Sequence, residues 1–366
     1  MRIGVMLRAI DEKQGIGIYT QNLMERLPAM DPVNEYVLYY RKPEYVGRYA
    51  RFPNVTESYV AAGGKMAWDQ IKIPAVARRD GIDVIFHPKF TVPFFTKKKT
   101  VMTIHGASWY VRPDLYPNKL DLAYVRATMP FYCRKSDFII ANSDLTRNDF
   151  IRILRVPPEK IRTVRLGTSE RFRVVNDQAE LDAVRAKYKL PEKYILSVIK
   201  YDRRKNFENL IAAFRLLRKR IPCKLVITGI GCEKYIEEYN LAGDGAIDDV
   251  QFLGWVDQSE LPALYTMATC HFFPSVYEEF GIPACEAMAC GCPPVVSSTG
   301  ALPEIVGSAG VIVDPFNPPV MADGLERVYT QTSVRDELSR RSLARAADFT
   351  WDRCARETLE VLNGMA

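Results

Sequence analysis

Short apolar runs alternate with amphipathic stretches along the whole chain, and this rhythm limits the fold more than any single motif. "IGVML" leads into "GIGIYTQNLMERL", and "VIFHP", "TVMTIH" and "FIIANS" follow, each read as a strand that precedes a helix. Runs of this length fit strands buried on both faces, and the windows between them fit crossover helices. The rhythm pauses over 169–192, a polar, charged stretch ending in "LPEK". It restarts with "YILSVIK", "CKLVITG", "VQFLG", "CHFFPS" and "PPVVSS", with helices such as "NFENLIAAFRLLRKR" between them. The expectation is an α/β chain of two doubly wound, Rossmann-like domains, 1–170 and 193–350, joined by a linker at 171–192 and facing a central cleft. The tail 351–366 is read as a helix capped by Thr350, with Trp351, Leu359 and Leu362 on one buried face. In such open sheets, ligands bind beyond the carboxyl ends of the strands.

The chain has 366 residues, 48% hydrophobic and 26% charged, enough for two globular domains with sizeable cores. It holds no uninterrupted apolar run of about 18 residues, so no transmembrane helix is indicated. Its start, "MRIGVMLRAIDE", turns acidic too soon for a secretory signal and reads as a first strand, which suggests a cytoplasmic protein. The net charge of +6 suits an anionic substrate or a membrane surface better than a dedicated nucleic-acid binder. The eight cysteines are scattered, and Cys285, Cys290 and Cys292 lack the paired spacing of a zinc site. They read as buried thiols.

The stretch "YEEFGIPACEAMACGCP" carries two carboxylates eight apart, Glu278 and Glu286. It follows an apolar strand, and Pro283 sits where a first helical turn tolerates proline. Phe280, Gly281 and Ile282 therefore fall at a strand-to-helix turn, where backbone amides and the helix dipole favour anions. A carboxylate can accept hydrogen bonds from two adjacent hydroxyls, so each glutamate suits a vicinal diol. Dipole complementation for Glu286 and a solvated loop position for Glu278 remain open alternatives.

"SVIKYDRRKNF" places Lys200 at a strand end and Lys205 five residues on. Two cations there can neutralise a diphosphate in place of a metal ion; Arg203 and Arg204 read as solvent-facing. In "RAIDEKQGIGIYTQNL", Gly15 and Gly17 are expected in a loop after the first strand, allowing close backbone approach to a ligand. The G-x-G-x-x-G pattern is absent because position 20 is threonine. Of the histidines, His105 should emerge at a strand's carboxyl end, His271 lies inside an apolar strand, and His87 precedes a proline.

Together these segments resemble the family-four retaining glycosyltransferases of the GT-B fold. "EEFGIPACEAMACGCPPVVSSTGALPEIVG" is similar to that family's E-x₇-E signature, and "VIKYDRRKNFENLIAAF", "KLVITGIG" and "VQFLGWVDQSELPALYTMA" match in order and spacing. "TIHG", "ANSDLTRNDF" and "PEKIRTVRLGTSERF" match more loosely. The resemblance implies sugar transfer from a nucleotide diphosphate donor with retained configuration. It implies that Glu278 contacts donor-sugar hydroxyls, Glu286 holds the ribose, and Lys200 and Lys205 stabilise the leaving diphosphate. It also implies amide contacts from Phe280, Gly281 and Ile282, a nucleobase beside Trp255 and Val256, and His105 near the reacting sugar. Gly15 and Gly17 would close over the donor, and the last helix would return to the first domain. The chain departs from the family at Ile199, often glycine, at Lys200, usually arginine, and at Gly106, where aspartate is common.

The implied reaction needs no cofactor and no metal. The expected donor is a UDP- or GDP-hexose, glucose or mannose first, and the acceptor a glycan or a lipid-linked sugar in cell-surface polysaccharide or glycolipid assembly. A non-catalytic nucleotide-sugar binder is the alternative. A dehydrogenase lacks its glycine fingerprint, and no pyridoxal-phosphate lysine marks a phosphorylase. The basic, aromatic stretch 40–52, with Arg41, Lys42, Arg48 and Arg51, and "TKKKT" at 96–100 suggest contact with an anionic membrane.

Overall fold

The computed structural model describes residues 1–12, 15–116, 118–239 and 249–366. The chain divides into two units, one of Met1–Gly167 with Trp351–Ala366, the other Thr168–Thr350.

In the first unit, seven parallel strands run β1 (Arg2–Met6), β2 (Glu35–Tyr40), β3 (Val55–Tyr59), β4 (Val84–His87), β5 (Lys99–Ile104), β6 (Phe138–Ala141) and β7 (Ile161–Thr163). Their order across the sheet is β3-β2-β1-β4-β5-β6-β7. The order reverses between β1 and β4, which makes the loops after these strands the natural ligand crevice. β4 is buried throughout, as both-face coverage demands. Contrary to the expected rhythm, no helix follows β4. Pro88 and Pro93 disfavour one there, and Val92 packs with Met102, Met129 and Tyr132 while Phe90 and Phe94 lean on the same cluster.

The last helix, Trp351–Asn363, belongs to this unit and packs on the first helix, Gly15–Met30. Trp351 meets the Tyr19 ring at 6.3 Å, and Arg26 pairs with Asp352 at 2.7 Å. Trp351 and Leu362 are buried, while Leu359 is half-buried.

The second unit has six parallel strands, β8 (Ile195–Val198), β9 (Leu225–Thr228), β10 (Val250–Gly254), β11 (Cys270–Phe273), β12 (Pro294–Ser297) and β13 (Val311–Val313). Their order is β10-β9-β8-β11-β12-β13, so the reversal falls between β8 and β11. Residues 171–192 form no linker. They contain the helix Gln178–Tyr188, and Phe172, Val184 and Leu190 enter the core with Tyr194, Leu264 and Tyr265. Their charges masked an amphipathic helix whose buried side is short. All eight cysteines are buried free thiols. Among the described residues, no helix is long and apolar enough to cross a membrane.

Candidate active site

The reversal point of the second sheet collects most of the expected donor-site residues. Past β8 the chain makes a turn at Arg203–Lys205, opened by Asp202, whose carboxylate accepts from the Arg204 amide at 2.9 Å. Asn206 follows at φ +58°, a left-handed conformation that asparagine tolerates. Its side-chain amide donates to the carbonyls of Pro274 at 3.0 Å and Pro315 at 2.7 Å. The Val276 amide donates to the Arg204 carbonyl at 2.8 Å. These bonds lace the loop after β8 to the loop after β11.

The lacing fixes one charge pair. Lys205 Nζ lies 2.6 Å from Glu278 Oε1, with side-chain exposures of only 10% and 12%. The ammonium also sits 4.6 Å from the centroid of the Phe273 ring below it. A third loop, after β12, braces the backbone that carries Glu278. Ala301 donates its amide to the Glu278 carbonyl at 2.8 Å, and Thr299 Oγ1 donates to the Val276 carbonyl at 2.8 Å. Gly300, at φ +67°, comes so close that an added Cβ would stand 2.6 Å from the Glu278 carbonyl oxygen. Only glycine permits that approach.

Arg204 is not the solvent-facing cation expected. Its guanidinium is half-buried, bonds Asp202 at 2.9 Å and lies 3.7 Å from Glu279. Arg203 is exposed. Lys200 is more exposed than the central pair, at 38%, and its ammonium lies 3.7 Å from Asp202. The departure at Ile199 has a structural reason. Ile199 is buried and takes no positive φ. The close approach comes from Gly229 instead, at φ +137°, where a Cβ would stand 2.2 Å from the Ile199 carbonyl oxygen.

Gly281, at φ +109°, precedes the helix Ile282–Ala289. Among the described residues, the amides of Phe280, Gly281 and Ile282 make no hydrogen bond. They are unsatisfied donors at a helix start. Glu286 lies on this helix, half-buried, and accepts a long hydrogen bond of 3.4 Å from the Tyr265 hydroxyl. Desolvation raises its carboxyl to about 7 despite that bond. Trp255 is 62% exposed just after β10, whereas Val256 is buried with Leu261 and Leu264.

Three expected residues lie in the first unit. His105 ends β5. Its Nε2 stands 3.0 Å from the Pro88 carbonyl, and Tyr19 meets its ring edge-on at 4.9 Å. A carbonyl only accepts, so Nε2 carries the proton and Nδ1 is left as an acceptor. Desolvation lowers this imidazole to about 4, keeping it neutral near pH 7. The next residue, Gly106, has φ +153°, which excludes the aspartate common there. Gly15 and Gly17 are not in a loop; they begin the first helix, and Lys13 and Gln14 of the same stretch lie outside the described residues. A Cβ on Gly17 would fall 1.7 Å from the Glu12 carbonyl oxygen, so this glycine serves loop-to-helix packing. His87 and His271 are both fully buried.

Sequence reasoning missed Asp202, Asn206, Gly229, Gly300 and Tyr265. The glycines after strand ends, in "VITGIG" and "SSTGAL", were the available signal.

Known proteins match this arrangement. The model "Glycosyltransferase Family 4" matches residues 13–171, and "Glycosyl transferases group 1" matches residues 180–345. The chain belongs to this glycosyltransferase family. The glycosyltransferase is 29% identical to O-antigen chain mannosyltransferase B of Escherichia coli, over 94% of this chain and 94% of that protein. Sucrose-phosphate synthase from Thermosynechococcus elongatus superposes with a TM-score of 0.80 at 20% identity, covering 100% of this chain and 99% of that one. HepE from Anabaena, solved with UDP and glucose, gives 0.76 at 16% identity, covering 100% of each chain. The fold of this glycosyltransferase is GT-B.

Proposed function

We propose that this glycosyltransferase moves a hexose from a UDP- or GDP-linked donor to a glycan or lipid-linked hydroxyl, with retained configuration and without a metal. The observation that carries the reading is the Lys205–Glu278 pair, 2.6 Å apart at the reversal point and a few residues before three unsatisfied amides. A donor diphosphate beside Lys205 would find its charge compensated as the bond to the sugar breaks. Glu278 would then accept hydroxyls of the sugar, and Glu286, once ionised, the two hydroxyls of the ribose. In the step itself, the bond from the anomeric carbon to the phosphate oxygen breaks. The acceptor oxygen bonds from the same face, and its proton passes to the departing phosphate. His105, neutral and holding a free Nδ1, is suited to receive a hydrogen bond from a sugar hydroxyl. Lys200 would add a second, more exposed cation.

A mannosyltransferase relative in O-antigen synthesis favours mannose and a polysaccharide product. The UDP and glucose bound by HepE keep UDP-glucose open. Each donor is incubated with lipid-linked and free glycan acceptors, with and without EDTA, and the product anomer is read by NMR. Retained anomers formed in EDTA are expected. Inverted product rejects retention, and metal-restored activity rejects metal independence. Donor binding without transfer or hydrolysis leaves only the binding-protein alternative.

The membrane contact is better carried by the helix Lys119–Lys135 than by 40–52. In 40–52, Tyr49 is buried, Lys42 pairs with Asp11, and Arg51 pairs with Glu25. The helix instead exposes Leu120, Tyr124 and Phe131 on one stripe, at 83%, 45% and 56%. Lys135 Nζ bonds the Thr96 carbonyl at 2.8 Å, tying the helix to a loop with Phe95 87% exposed and Lys97 and Lys98 beside it. Apolar side chains among cations suit an anionic lipid surface. Co-sedimentation with anionic but not neutral vesicles, lost on Leu120→Ser with Phe131→Ser, is expected; binding unchanged by the pair rejects this face.

A further inference from the structure

The first unit has a ligand-sized cavity at its own reversal point. Its lining comes from the carboxyl-end loops of β1, β2 and β4 and from the segment after β3. It encloses about 180 Å³ and draws five cations together: Arg8, Arg41, Lys42, Lys65 and Lys89. Three carboxylates answer them. Lys42 pairs with Asp11 at 2.6 Å and Lys89 with Glu12 at 2.5 Å. Arg8 pairs with Asp69, whose side chain is 3% exposed. Asp69 in turn accepts from Thr91 Oγ1 at 2.9 Å, and Thr91 bonds His87 Nδ1 at 2.9 Å. A buried network therefore fixes the floor of the cavity, while Arg41 and Lys65 have no ion-pair or hydrogen-bond partner among the described residues.

We propose that this cavity is an oxyanion site for the acceptor, which carries a phosphate ester or a carboxylate on a sugar. The assignment to the acceptor rests on the glycosyl-transfer reading; the anion site itself does not. Among the described residues, two cations of the lining form no ion pair once its carboxylates are paired, although Arg41 acts on Asp11 at longer range, so the cavity has charge to offer a ligand without breaking an existing pair. Arg41 is half-buried and presents a planar fork suited to bidentate oxyanion binding. The site is concave and backed by packed side chains, which fits a discrete charged group better than a flat lipid surface. Its position at the switch between β1 and β4 is where doubly wound sheets bind ligands.

The test titrates the full chain with glucose 6-phosphate, glucuronate and glucose by calorimetry, with and without saturating UDP. UDP, or GDP where UDP does not bind, fills the donor site, so an anion bound in its presence occupies another site, which the variants below assign. At least one charged sugar should bind about tenfold or more tighter than glucose, as charge-assisted hydrogen bonds allow. Arg41→Ala with Lys65→Ala should lower that affinity about tenfold or more, with UDP affinity and melting temperature unchanged. Equal binding of charged and neutral sugars overturns the site, as does wild-type affinity in the double variant. So does dependence of anionic-vesicle binding, but of no soluble anion, on Arg41 and Lys65. A failure of both UDP and GDP to bind would instead count against the donor-site reading and leave the anion result standing.

Discussion

The two units share one strand order, out from the reversal point on both sides, but the loops above it handle charge in different ways. In the second unit, loops from β8, β11 and β12 are laced by backbone and asparagine hydrogen bonds, and Lys205, Glu278 and Arg204 each have a partner. In the first unit, the equivalent loops pair three of the five described cations that line the cavity and leave two without an ion pair. One site has its charges paired and laced before any ligand arrives, which would suit transition-state stabilisation. The other holds spare charge in an open cavity, as a binding site for a variable partner does. The common sheet positions both sites, and the loop chemistry distinguishes them.

The largest effect should follow from breaking the enclosed pair. Glu278→Gln keeps the shape and removes the charge. Transfer should fall by about 100-fold or more, and stability by about 3 kcal/mol because Lys205 is left buried beside a neutral group. Transfer assays and chemical unfolding check both. Retention of near-normal rate would mean that the second unit is no more preorganised than the first.

A smaller effect separates two glycines. Gly300→Ala forces a Cβ against the Glu278 backbone at φ +67°, so transfer should drop about tenfold and stability by about 1–3 kcal/mol. Gly47→Ala in the first unit also sits at positive φ, +97°, but meets nothing within 4 Å. It should cost only about 1 kcal/mol of backbone strain and leave transfer unchanged. Equal losses of activity would show that strain alone, not the brace on Glu278, limits the rate.

Much of this contrast was legible in the sequence. Apolar runs such as "CHFF" and "LVIT" became strands buried throughout, and the positions of Glu278, Glu286, Lys200 and Lys205 followed from strand ends. Less legible was anything set by partners distant in sequence. Arg204 and Arg203 look alike in "YDRRKN", and only Asp202 and Glu279 distinguish them. The helix Gln178–Tyr188 was hidden because its polar residues outnumber its buried one, Val184. Gly17 seemed a ligand-facing glycine, yet its constraint is the Glu12 carbonyl. Edge strands such as β3 and β7, half polar and short, also escaped the apolar-run criterion.

The pH response sharpens the comparison from another side. The Glu286 carboxyl titrates near 7 in the folded chain against an ordinary 4.5. Its folded value is raised, so its contribution to stability is full below about pH 4.5 and lost as pH rises through about 7. If Glu286 holds the ribose as proposed, donor binding has the opposite sign, because a carboxylate accepting from two ribose hydroxyls must be ionised. A nucleotide sugar has no diphosphate proton that titrates in this range, so its affinity reports the protein. UDP-glucose or GDP-mannose should bind more tightly as pH rises, by up to about tenfold per unit below 7, and level off above. Glu286→Gln should flatten that profile. A wild-type profile already flat from pH 5.5 to 8 would remove Glu286 from the ribose contact.

The mildest change tests whether Lys200 belongs with the rigid pair at all. Its ammonium is more than a third exposed and its contact to Asp202, at 3.7 Å, is loose, the kind of surface pairing that contributes little. Lys200→Arg has room for the larger head and restores a planar fork for phosphate. Transfer should therefore change by no more than a few-fold, in either direction. Lys205→Arg faces the opposite situation, because the wider guanidinium would have to fit between Glu278 and the Phe273 ring in an enclosed space. A loss of rate with Lys200→Arg as steep as with Lys205→Arg would place both cations in one rigid constellation. The line between preorganised and adaptable charge would then run between the two units rather than through the loop after β8.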